Sequence, residues 1–460
     1  MPQCMPPSDE HAPVFSRYDP KQNLLLPPNL EEWLPEEHLA RFISEIVEES
    51  LDLAPLLERY QNAEGGHPAL HPKMLTKLLV YGYAVGVRSS RKIERATHED
   101  VAFRYLAANQ HPDHNTIARF REKNLDVLEG LFIQGLKIAE RIGLVQLGRV
   151  ALDGTKVRAN ASKHKAMSYG RMVVKEKELQ AKVRALFAEA QKLDLEEDAQ
   201  YGHGGRPRDL PEELKFHRDR LAKIRAAKRA LEEEARENAQ AESDASNSET
   251  GSQDPPTAGG GTTPPSVDAK AQRNFTDPES RIMPDGANRG AFLQGYNCQI
   301  AVEESHQIIV AAEVMGTAPD QGHLVPMMDR MATQLGRLPE RLLTDAGYFS
   351  EPALRSLAAR GIDVYCPPGR GKSEEREGCR RGRPPKGETF AEAQRRKVRR
   401  TQGRTHYRRR KAIVEPVFGQ MKELQGFRRF LLRGRRKVRG EWFLGCLAHN
   451  LKKIHRAQRD

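Results

Sequence analysis

The sequence has little cysteine and no long apolar run. Its 460 residues include five cysteines, which are scattered without a CxxC pair or a histidine at ligand spacing. This distribution argues against a disulfide framework and against a zinc finger. No apolar segment is long enough to cross a bilayer, and the first residues lack the basic segment and apolar run of a signal peptide. We therefore predict a cytoplasmic protein with no membrane partner.

Charge and length narrow the function classes further. Lysine and arginine number 75 against 63 aspartates and glutamates, which gives a formal net charge of +12. This excess favours a polyanionic partner such as nucleic acid, although many soluble proteins are mildly basic. With 38% hydrophobic residues, a chain of this length can bury more than one core, and we expect two or three domains.

Short amphipathic segments between residues 29 and 146 predict a helical domain, preceded by a flexible N-terminus at residues 1–28. Ser89 or Ser90 is placed to cap the third of its helices, and Asp113 or Asn115 to cap the fourth. Apolar residues recur at helical spacing in four segments, namely residues 30–50, 71–87, 89–107 and 113–143.

Polar residues at the start of the fourth segment suit a helix-turn-helix reader of the DNA major groove. Asn115, Thr116, Arg119 and Arg121 lie on its early turns. The alternative is a helical bundle whose arginines face solvent, and these residues alone do not separate the two. We take Asn115 and Arg119 as candidate DNA contacts.

Residues 167–274 form a predicted insert. Apolar residues alternate at intervals of four and three on both sides of the break "YGHGGRPRDLP", which predicts an antiparallel helical hairpin. The stretch from Glu242 to Lys270 has almost nothing to bury and is expected to be disordered. The apolar positions are Met172, Leu179, Val183, Leu186, Ala190, Leu193, Leu214, Leu221, Ile224 and Leu231.

Around this insert, the order of apolar segments predicts one α/β catalytic domain, made of residues 147–166 and 275–460. Three strands are followed by helix, strand, helix and strand, and then by a basic helix. This is the order of the ribonuclease-H-like fold, a mixed sheet with flanking helices. In that fold the first and fourth strands are neighbours at the centre of the sheet.

Three acidic residues lie where such a sheet would gather them. Asp153 is near the end of the first strand, Asp345 ends the fourth, and Glu415 lies in the basic helix. Converging carboxylates repel one another unless divalent cations neutralise them. Carboxylate oxygens suit Mg²⁺ or Mn²⁺, and two such ions about 4 Å apart clamp the oxygens of a phosphoryl transfer. We predict these three acids as metal ligands and catalytic residues.

The segments "ALDGTKVRANASK", "LLTDAGYFS" and "YRRRKAIVEPVFGQMKE" resemble the three acidic motifs of bacterial insertion-sequence DDE transposases. The likeness is to the insertion-sequence four and five superfamily, and within it to the eleven-eighty-two type. It implies Asp153, Asp345 and Glu415 as the catalytic triad, with Mg²⁺ or Mn²⁺ as cofactor. It also implies double-stranded DNA as partner, both element ends and target. Because two ends must be joined, we expect a homodimer assembled on that DNA.

The third motif resembles the family signature YxxRxxxExxxxxxK, whose basic residues contact phosphates near the cut. Tyr407 and Arg410 have the signature spacing, and so do Glu415 and Lys422. Arg410 lies one residue further from Glu415 than the signature requires, whereas Lys411 has the right spacing to the glutamate. Both basic residues remain candidates for that phosphate contact.

Each acidic residue also has a structural alternative. Asp153 precedes a glycine and suits a turn, Asp345 is placed to cap the helix that follows, and Glu415 to pair with Arg408 or Lys411. Two further aspartates invite comparison. Asp320 is a rival for the second acid, but its place after Pro319 predicts a helix cap, and Asp363 opens a strand and is taken as structural.

Two basic segments near the C-terminus carry weaker signals. Arg381 and Arg383, in "RGRP", suit an arm in the DNA minor groove, although such letters also occur in loops. The segment from Arg433 to Lys437 suits phosphate contacts or, alternatively, a solubilising face.

Together these features predict a metal-dependent transposase that cuts element ends and joins the 3′-hydroxyl to target DNA. Two other functions remain open: a DNA-binding regulator without catalysis, and a structure-specific nuclease on the same fold. Convergence of the three acids distinguishes a transposase from a DNA-binding regulator. Joining of strands distinguishes it from a nuclease.

Overall fold

The computed structural model describes residues 29–59, 69–201, 212–249, 267–286, 288, 290–369 and 387–459. Three features of the sequence analysis lie outside these ranges. They are the N-terminal segment 1–28, most of the expected disordered stretch (residues 250–266), and Arg381 with Arg383.

The first part of the described chain is helical, as the apolar spacing predicts. Helix α1 is extended by one π-helical turn, Ile46–Ser50. The α-helices are α1 (Leu39–Glu45), α2 (Ala54–Leu57), α3 (Pro72–Val85), α4 (Ser90–Glu99), α5 (Val101–Leu106), α6 (His114–Lys123) and α7 (Leu125–Arg141).

Two of the predicted helical segments are divided. Asp100 separates α4 from α5 because its Oδ1 accepts hydrogen bonds from the backbone N–H groups of Ala102 (2.8 Å) and Phe103 (3.1 Å), which start a new helix. Asn124 separates α6 from α7. Apolar residues keep their helical spacing across Asp100 and Asn124, so this spacing does not predict either break.

The helix caps agree in part with the sequence. Asp113 caps α6, because its Oδ1 accepts a hydrogen bond of 2.7 Å from the N–H of Asn115. Of the two candidates for that cap, the aspartate is therefore the one used. Ser89 stands at the N-cap position of α4 without a capping hydrogen bond from its side chain.

Six strands form the central sheet and two form a separate ribbon in the described ranges. Strand β5 pairs antiparallel with β1, β4 and β6, while β7 pairs parallel with β1 and with β8. The strands are β1 (Arg149–Arg158), β2 (Ala166–Ser168), β3 (Gln272–Asn274), β4 (Arg281–Pro284), β5 (Phe292–Glu303), β6 (Ile309–Met315), β7 (Arg341–Leu343) and β8 (Asp363–Tyr365).

β4 and β6 both pair with β5, and from β5 the sheet continues through β1 and β7 to β8. The predicted first and fourth strands are β1 and β7, and they are neighbours at the centre, so this prediction is confirmed. β4 and the ribbon of β2 with β3, whose strands have three or four residues each, are not predicted by the sequence pattern. Strands this short show too few alternations to stand out.

The insert is a helical hairpin, as predicted. Helix α8 (Tyr169–Tyr201) and helix α9 (Glu212–Glu249) stand on the β2–β3 ribbon. A buried seam joins them, including Met172, Leu179, Leu221, Ile224 and Leu231. The expectation of disorder from Glu242 is wrong for its first eight residues, because α9 continues to Glu249. That stretch contains no glycine or proline, so a helix already formed propagates through it.

The remaining helices flank the sheet. Helix α13 packs across β1, β5, β7 and β8 and ends in a π-helical turn, Gln420–Leu424. Helix α14 packs on β6 and also on α3 and α7, so one core is continuous from the helical part into the sheet. The helices are α10 (Leu324–Leu335), α11 (Glu351–Ala359), α12 (Phe390–Arg399), α13 (Thr401–Gly419) and α14 (Arg435–Ala457).

A buried ion pair lies in this shared core. Arg88, between α3 and α4, donates from Nη1 to Glu441 Oε1 of α14 at 2.8 Å. Glu441 also accepts hydrogen bonds from the N–H groups of Leu431 and Leu432. The helical part and the last helix are therefore joined by charge as well as by apolar packing.

Candidate metal and nucleic-acid site

Two of the three predicted acids are brought together by the register of the sheet. The last residues that β1 and β7 pair are Ala151 and Leu343. Asp153 and Asp345 each lie two residues beyond that pair, and Asp345 is still extended, with φ −83° and ψ 179°. Side chains two residues apart along a strand leave the same face, so the two carboxylates are neighbours.

Asp153 is mostly buried and carries a counter-charge. Its Oδ2 accepts a hydrogen bond of 2.6 Å from Arg410 Nη1, on α13. Burial raises the pKa of Asp153, the charge of Arg410 lowers it, and the charge of Asp345 raises it again.

The turn interpretation of Asp153 and Gly154 is wrong. Both residues lie inside β1, paired with Ile300 and Gln299 of β5. Gly154 is needed for packing instead, because a methyl group there would lie 2.4 Å from Gln299 Nε2 and 3.0 Å from Asn297 Oδ1. Polar side chains of β5 fill the space beside Asp153.

Asp345 caps the short turn that follows it, in agreement with the structural alternative. Its Oδ1 accepts a hydrogen bond of 2.9 Å from the N–H of Gly347, in a 3₁₀ turn at Ala346–Tyr348. Capping occupies only that oxygen. In the described ranges Asp345 Oδ2 accepts no hydrogen bond, so this residue can cap the turn and still offer an oxygen to a cation.

Glu415 is placed differently from the two aspartates. It lies on α13, its side chain is 56% exposed, and its Oε1 is 4.0 Å from Lys411 Nζ. Among the described residues, the one set of three acidic, His or Cys side chains with all ligand atoms within 4.8 Å is Glu94, Asp113 and His114. The approach of Glu415 to the aspartates thus stays a prediction, and its pairing with Lys411 fits the structural alternative.

The donors present suit a hard divalent cation. Asp153 and Asp345 offer carboxylate oxygens, which Mg²⁺ and Mn²⁺ prefer over nitrogen or sulfur. Asp345 has one oxygen outside its cap, and Asp153 is already compensated by the guanidinium of Arg410. Asp345 therefore offers one oxygen to a cation, whereas at Asp153 a cation would share the carboxylate with Arg410.

Asp320 is another acid bound to side chains of the sheet. Its predicted role as a helix cap is wrong. It precedes the 3₁₀ turn Gln321–His323, but its side chain makes no capping hydrogen bond. Its Oδ1 accepts hydrogen bonds instead from Asn297 Nδ2 (2.7 Å), Gln299 Nε2 (2.8 Å) and Lys156 Nζ (3.3 Å).

A sequence signal for this network exists. Asn297 and Gln299 are fully buried polar residues, two positions apart in the mostly buried strand β5. Buried amides require partners, so such a pair predicts a polar side chain opposite it. Asp363, by contrast, pairs with Lys397 of α12 at 2.6 Å, as the structural interpretation expects.

The basic residues of the third motif occupy distinct environments. Tyr407 packs against the core and Arg410 is mostly buried, whereas the Lys411 side chain is 73% exposed. Lys422 is half-buried, which lowers its pKa, and it lies in the π-helical turn after α13. That turn departs from the α-helical spacing assumed for Glu415 and Lys422. Within the described chain no carboxylate pairs with Lys422.

The α6 candidates divide into exposed and buried residues. Asn115 and Arg119 are exposed. Arg121, also placed on the reading face by the sequence analysis, is buried, and its Nη1 donates to Tyr83 Oη (3.2 Å) and to Arg88 O (2.9 Å). Arg121 therefore does not belong to the exposed polar face that Asn115 and Arg119 form. The helical period does not distinguish an arginine that faces solvent from one that faces buried acceptors.

The basic segment after α13 is partly engaged within the protein. Arg433 Nε donates to Asn160 O at 2.9 Å, and Lys437 pairs with Glu122 of α6. The phosphate contacts expected of this segment stay a prediction.

Comparison with known families gives two matches. Residues 28–123 match the family described as "Transposase domain (DUF772)", and residues 253–451 match the "Transposase DDE domain" family. The second match includes Asp345 and Glu415, while Asp153 lies between the two matched ranges. No curated protein and no solved structure matches the chain significantly. None of the helices in the described ranges has the length and apolar composition of a membrane-spanning segment.

Proposed function

The chain belongs to the insertion-sequence DDE transposases, and we propose that it cuts DNA at the ends of its element and joins the 3′-hydroxyl to target DNA. The observation that carries this proposal is the placement of Asp153 and Asp345 two residues beyond the last pair of parallel strands β1 and β7. Two carboxylates fixed on adjacent strands of a basic protein suit phosphoryl transfer on a polyanion.

The architecture supports a ribonuclease-H-like assignment of the sheet. The order β6, β5, β1, β7, β8, with β7 and β8 parallel to β1, is the order expected for that fold. For the helical part we propose a DNA-binding role in which α6 presents Asn115 and Arg119 to a groove. Arg381 and Arg383 are proposed as a minor-groove arm.

We assign Asp153, Asp345 and Glu415 as the residues that would hold Mg²⁺ or Mn²⁺. When bound, two such ions neutralise the acids and polarise the phosphate under attack. Glu415 reaches the aspartates through a rearrangement of its exposed side chain or of α13. Arg410 orients Asp153 through its hydrogen bond to Oδ2, which leaves Oδ1 as the oxygen that would face a cation.

Lys422 and Lys411 are the basic side chains best placed for phosphates. Lys422 is half-buried without a carboxylate partner in the described ranges, and Lys411 is exposed. Arg410, in contrast, is committed to Asp153. Because each side chain that neutralises a phosphate releases DNA counterions, the salt dependence of binding separates these roles.

We expect Lys422→Ala and Lys411→Ala each to reduce the slope of log affinity against log salt by about 0.9, the contribution of one phosphate contact. Arg410→Ala should change the slope much less. The measurement is fluorescence anisotropy with element-end DNA at several salt concentrations. Arg355→Ala, which removes an exposed ion pair on α11, is the control. A full change of slope in Arg410→Ala would show that it binds phosphate in place of Lys411.

The proposed function is tested by strand transfer with the purified full-length protein and the element's own ends. Joined products should form with Mg²⁺ or Mn²⁺ and disappear when the ions are chelated. Cleavage without joining would favour the structure-specific nuclease. End binding without cleavage under any divalent ion would favour the regulator. Because two ends must be joined, we also propose a homodimer on DNA, acting in the bacterial cytoplasm.

A further inference from the structure

A basic groove lies at the end of β1, apart from the acidic residues described above. It has a volume of about 590 Å³ and is lined mainly by residues 158–165 after β1, by residues 292–294 at the start of β5, and by two arginines after α13. None of the described residues that line it is acidic. Its basic residues are Arg158, Lys163, His164, Lys165, Arg429 and Arg433.

Hydrogen bonds hold the segment after α13 against the end of β1. The N–H of Phe430 donates to Arg158 O at 2.8 Å, and the N–H of Arg158 donates to Arg428 O at 3.3 Å. Asn160 extends this contact, because its Nδ2 donates to Leu431 O at 2.8 Å. The fold therefore fixes two basic segments, distant in sequence, next to each other along one groove.

The positive charge of this groove is largely uncompensated. Lys163, Lys165 and Arg429 are exposed, and none of them forms an ion pair within the part of the chain that the structure describes. Arg158 is 3.6 Å from Asp285 Oδ2, and its side chain is still 54% exposed. Like charges gathered in one groove repel one another, and a polyanion relieves that repulsion. Charge complementarity thus favours the phosphates of a nucleic-acid strand.

An exposed aromatic ring lies in the same groove. Phe292 is 56% exposed, whereas the rest of β5 is buried. Within the described strands it is the one large apolar side chain that is exposed. The face of an aromatic ring stacks on an unpaired base whatever the identity of that base. Because the bases of a duplex are already stacked on each other, this ring favours a single strand.

We propose that this groove binds unpaired nucleotides of the DNA substrate, with its lysines and arginines on the phosphates and Phe292 stacked on a base. The inference rests on the proposed function, which supplies DNA as the substrate. A groove of about 590 Å³ is of the size that encloses a small organic molecule, so it suits about one or two nucleotides rather than a duplex. Arg158 follows Asp153 on β1 by roughly 17 Å of strand, so these nucleotides lie close to the proposed cut.

The ring is tested by fluorescence anisotropy with a labelled oligothymidylate of about ten nucleotides and with a duplex of equal length, both in EDTA. Phe292→Ala should weaken binding of the single strand by about tenfold and binding of the duplex by less than about twofold. Phe292→Trp keeps an aromatic face and should retain the affinity, whereas Phe292→Leu should lose it. Phe216→Ala, which changes a similarly exposed phenylalanine on α9, is the matched control.

The basic side chains are tested by the salt dependence of the same binding. Lys163→Ala combined with Arg429→Ala should reduce the slope of log affinity against log salt for the oligothymidylate by about 1.4, because each phosphate contact on a single strand contributes about 0.7. Lys137→Ala combined with Arg141→Ala removes the same charge from the exposed face of α7 and should leave the slope unchanged.

The outcomes separate this inference from the proposed function. An unchanged affinity of Phe292→Ala for the single strand, an equal loss on the duplex, or an unchanged salt slope of the Lys163 and Arg429 variant would each overturn the inference, even if the native protein joins strands. Binding of the single strand through this groove without any joining by the native protein would overturn the proposed function and leave the inference standing. Urea unfolding identifies a variant that fails to fold, and the comparison of Phe292→Leu with Phe292→Trp then replaces Phe292→Ala.

Discussion

Asp153→Asn and Asp345→Asn are each expected to reduce cleavage of element-end DNA by about a thousandfold or more, equivalent to roughly 4 kcal/mol of transition-state stabilisation. Each change keeps the shape of the side chain and removes the charge that a divalent cation requires. Binding of the DNA end should persist, because it is assigned to α6 and to the basic residues around α13. Cleavage and binding are measured on the same labelled fragment.

Glu415→Gln is the most informative member of this series. Glu415 is exposed and lies beside Lys411, so the geometry admits both a catalytic and a surface role. A loss equal to that of the two aspartate variants would place Glu415 in the centre during the reaction. Cleavage at the normal rate would assign it to the surface ion pair with Lys411. Asp363→Asn, which removes an ion pair with Lys397, should leave cleavage intact.

The central sheet could be predicted from the sequence because its long strands are bounded by clear turn signals. β1, β5 and β6 are 7 to 12 residues long and rich in apolar residues, and their order predicts that β1 lies beside β7. That neighbour relation alone is enough to bring Asp153 towards Asp345. The helical hairpin was equally predictable, since its buried seam repeats at heptad spacing.

Other parts of the site depend on contacts between distant segments, which no local pattern records. Asp153 meets Arg410, and Asp320 meets the amides of β5, across long stretches of sequence. The position of Asp320 before a helix predicts a cap. Its side chain instead accepts hydrogen bonds from the buried amides of Asn297 and Gln299. Arg121 illustrates the same limit, because the acceptors that bury it come from α3 and from the segment after it.

Arg88→Ala is expected to destabilise the protein by about 3–5 kcal/mol, because it leaves the carboxylate of Glu441 buried without its ion-pair partner. The Arg88 side chain is 8% exposed and that of Glu441 is fully buried. Arg88 also donates to the backbone oxygens of Gly426 and Arg429 and lies over the ring of Phe427. The change therefore removes contacts that join the helical part to the segment before α14. Urea unfolding measures the loss.

An exposed ion pair provides the matched control. Arg95 and Glu99 form an i, i+4 pair on α4 with both side chains largely exposed, so Arg95→Ala should cost no more than about 0.5 kcal/mol. If Arg88→Ala proves equally mild, the buried pair does not hold the two parts of the core together.

The pH dependence of the Arg88→Ala variant distinguishes a buried charge from lost packing. Burial raises the pKa of Glu441 and the charge of Arg88 lowers it, so the substitution raises this pKa further. An acid whose pKa is raised by folding contributes stability below its unfolded pKa and loses that contribution as the pH rises through its folded pKa. The difference in free energy of unfolding between the native protein and Arg88→Ala should therefore decrease at acid pH, where Glu441 is protonated. It should increase towards neutral pH. A loss of stability that is constant with pH would come from the cation–π contact with Phe427 and the backbone hydrogen bonds. In that case, adding Glu441→Gln to Arg88→Ala would restore no stability at neutral pH.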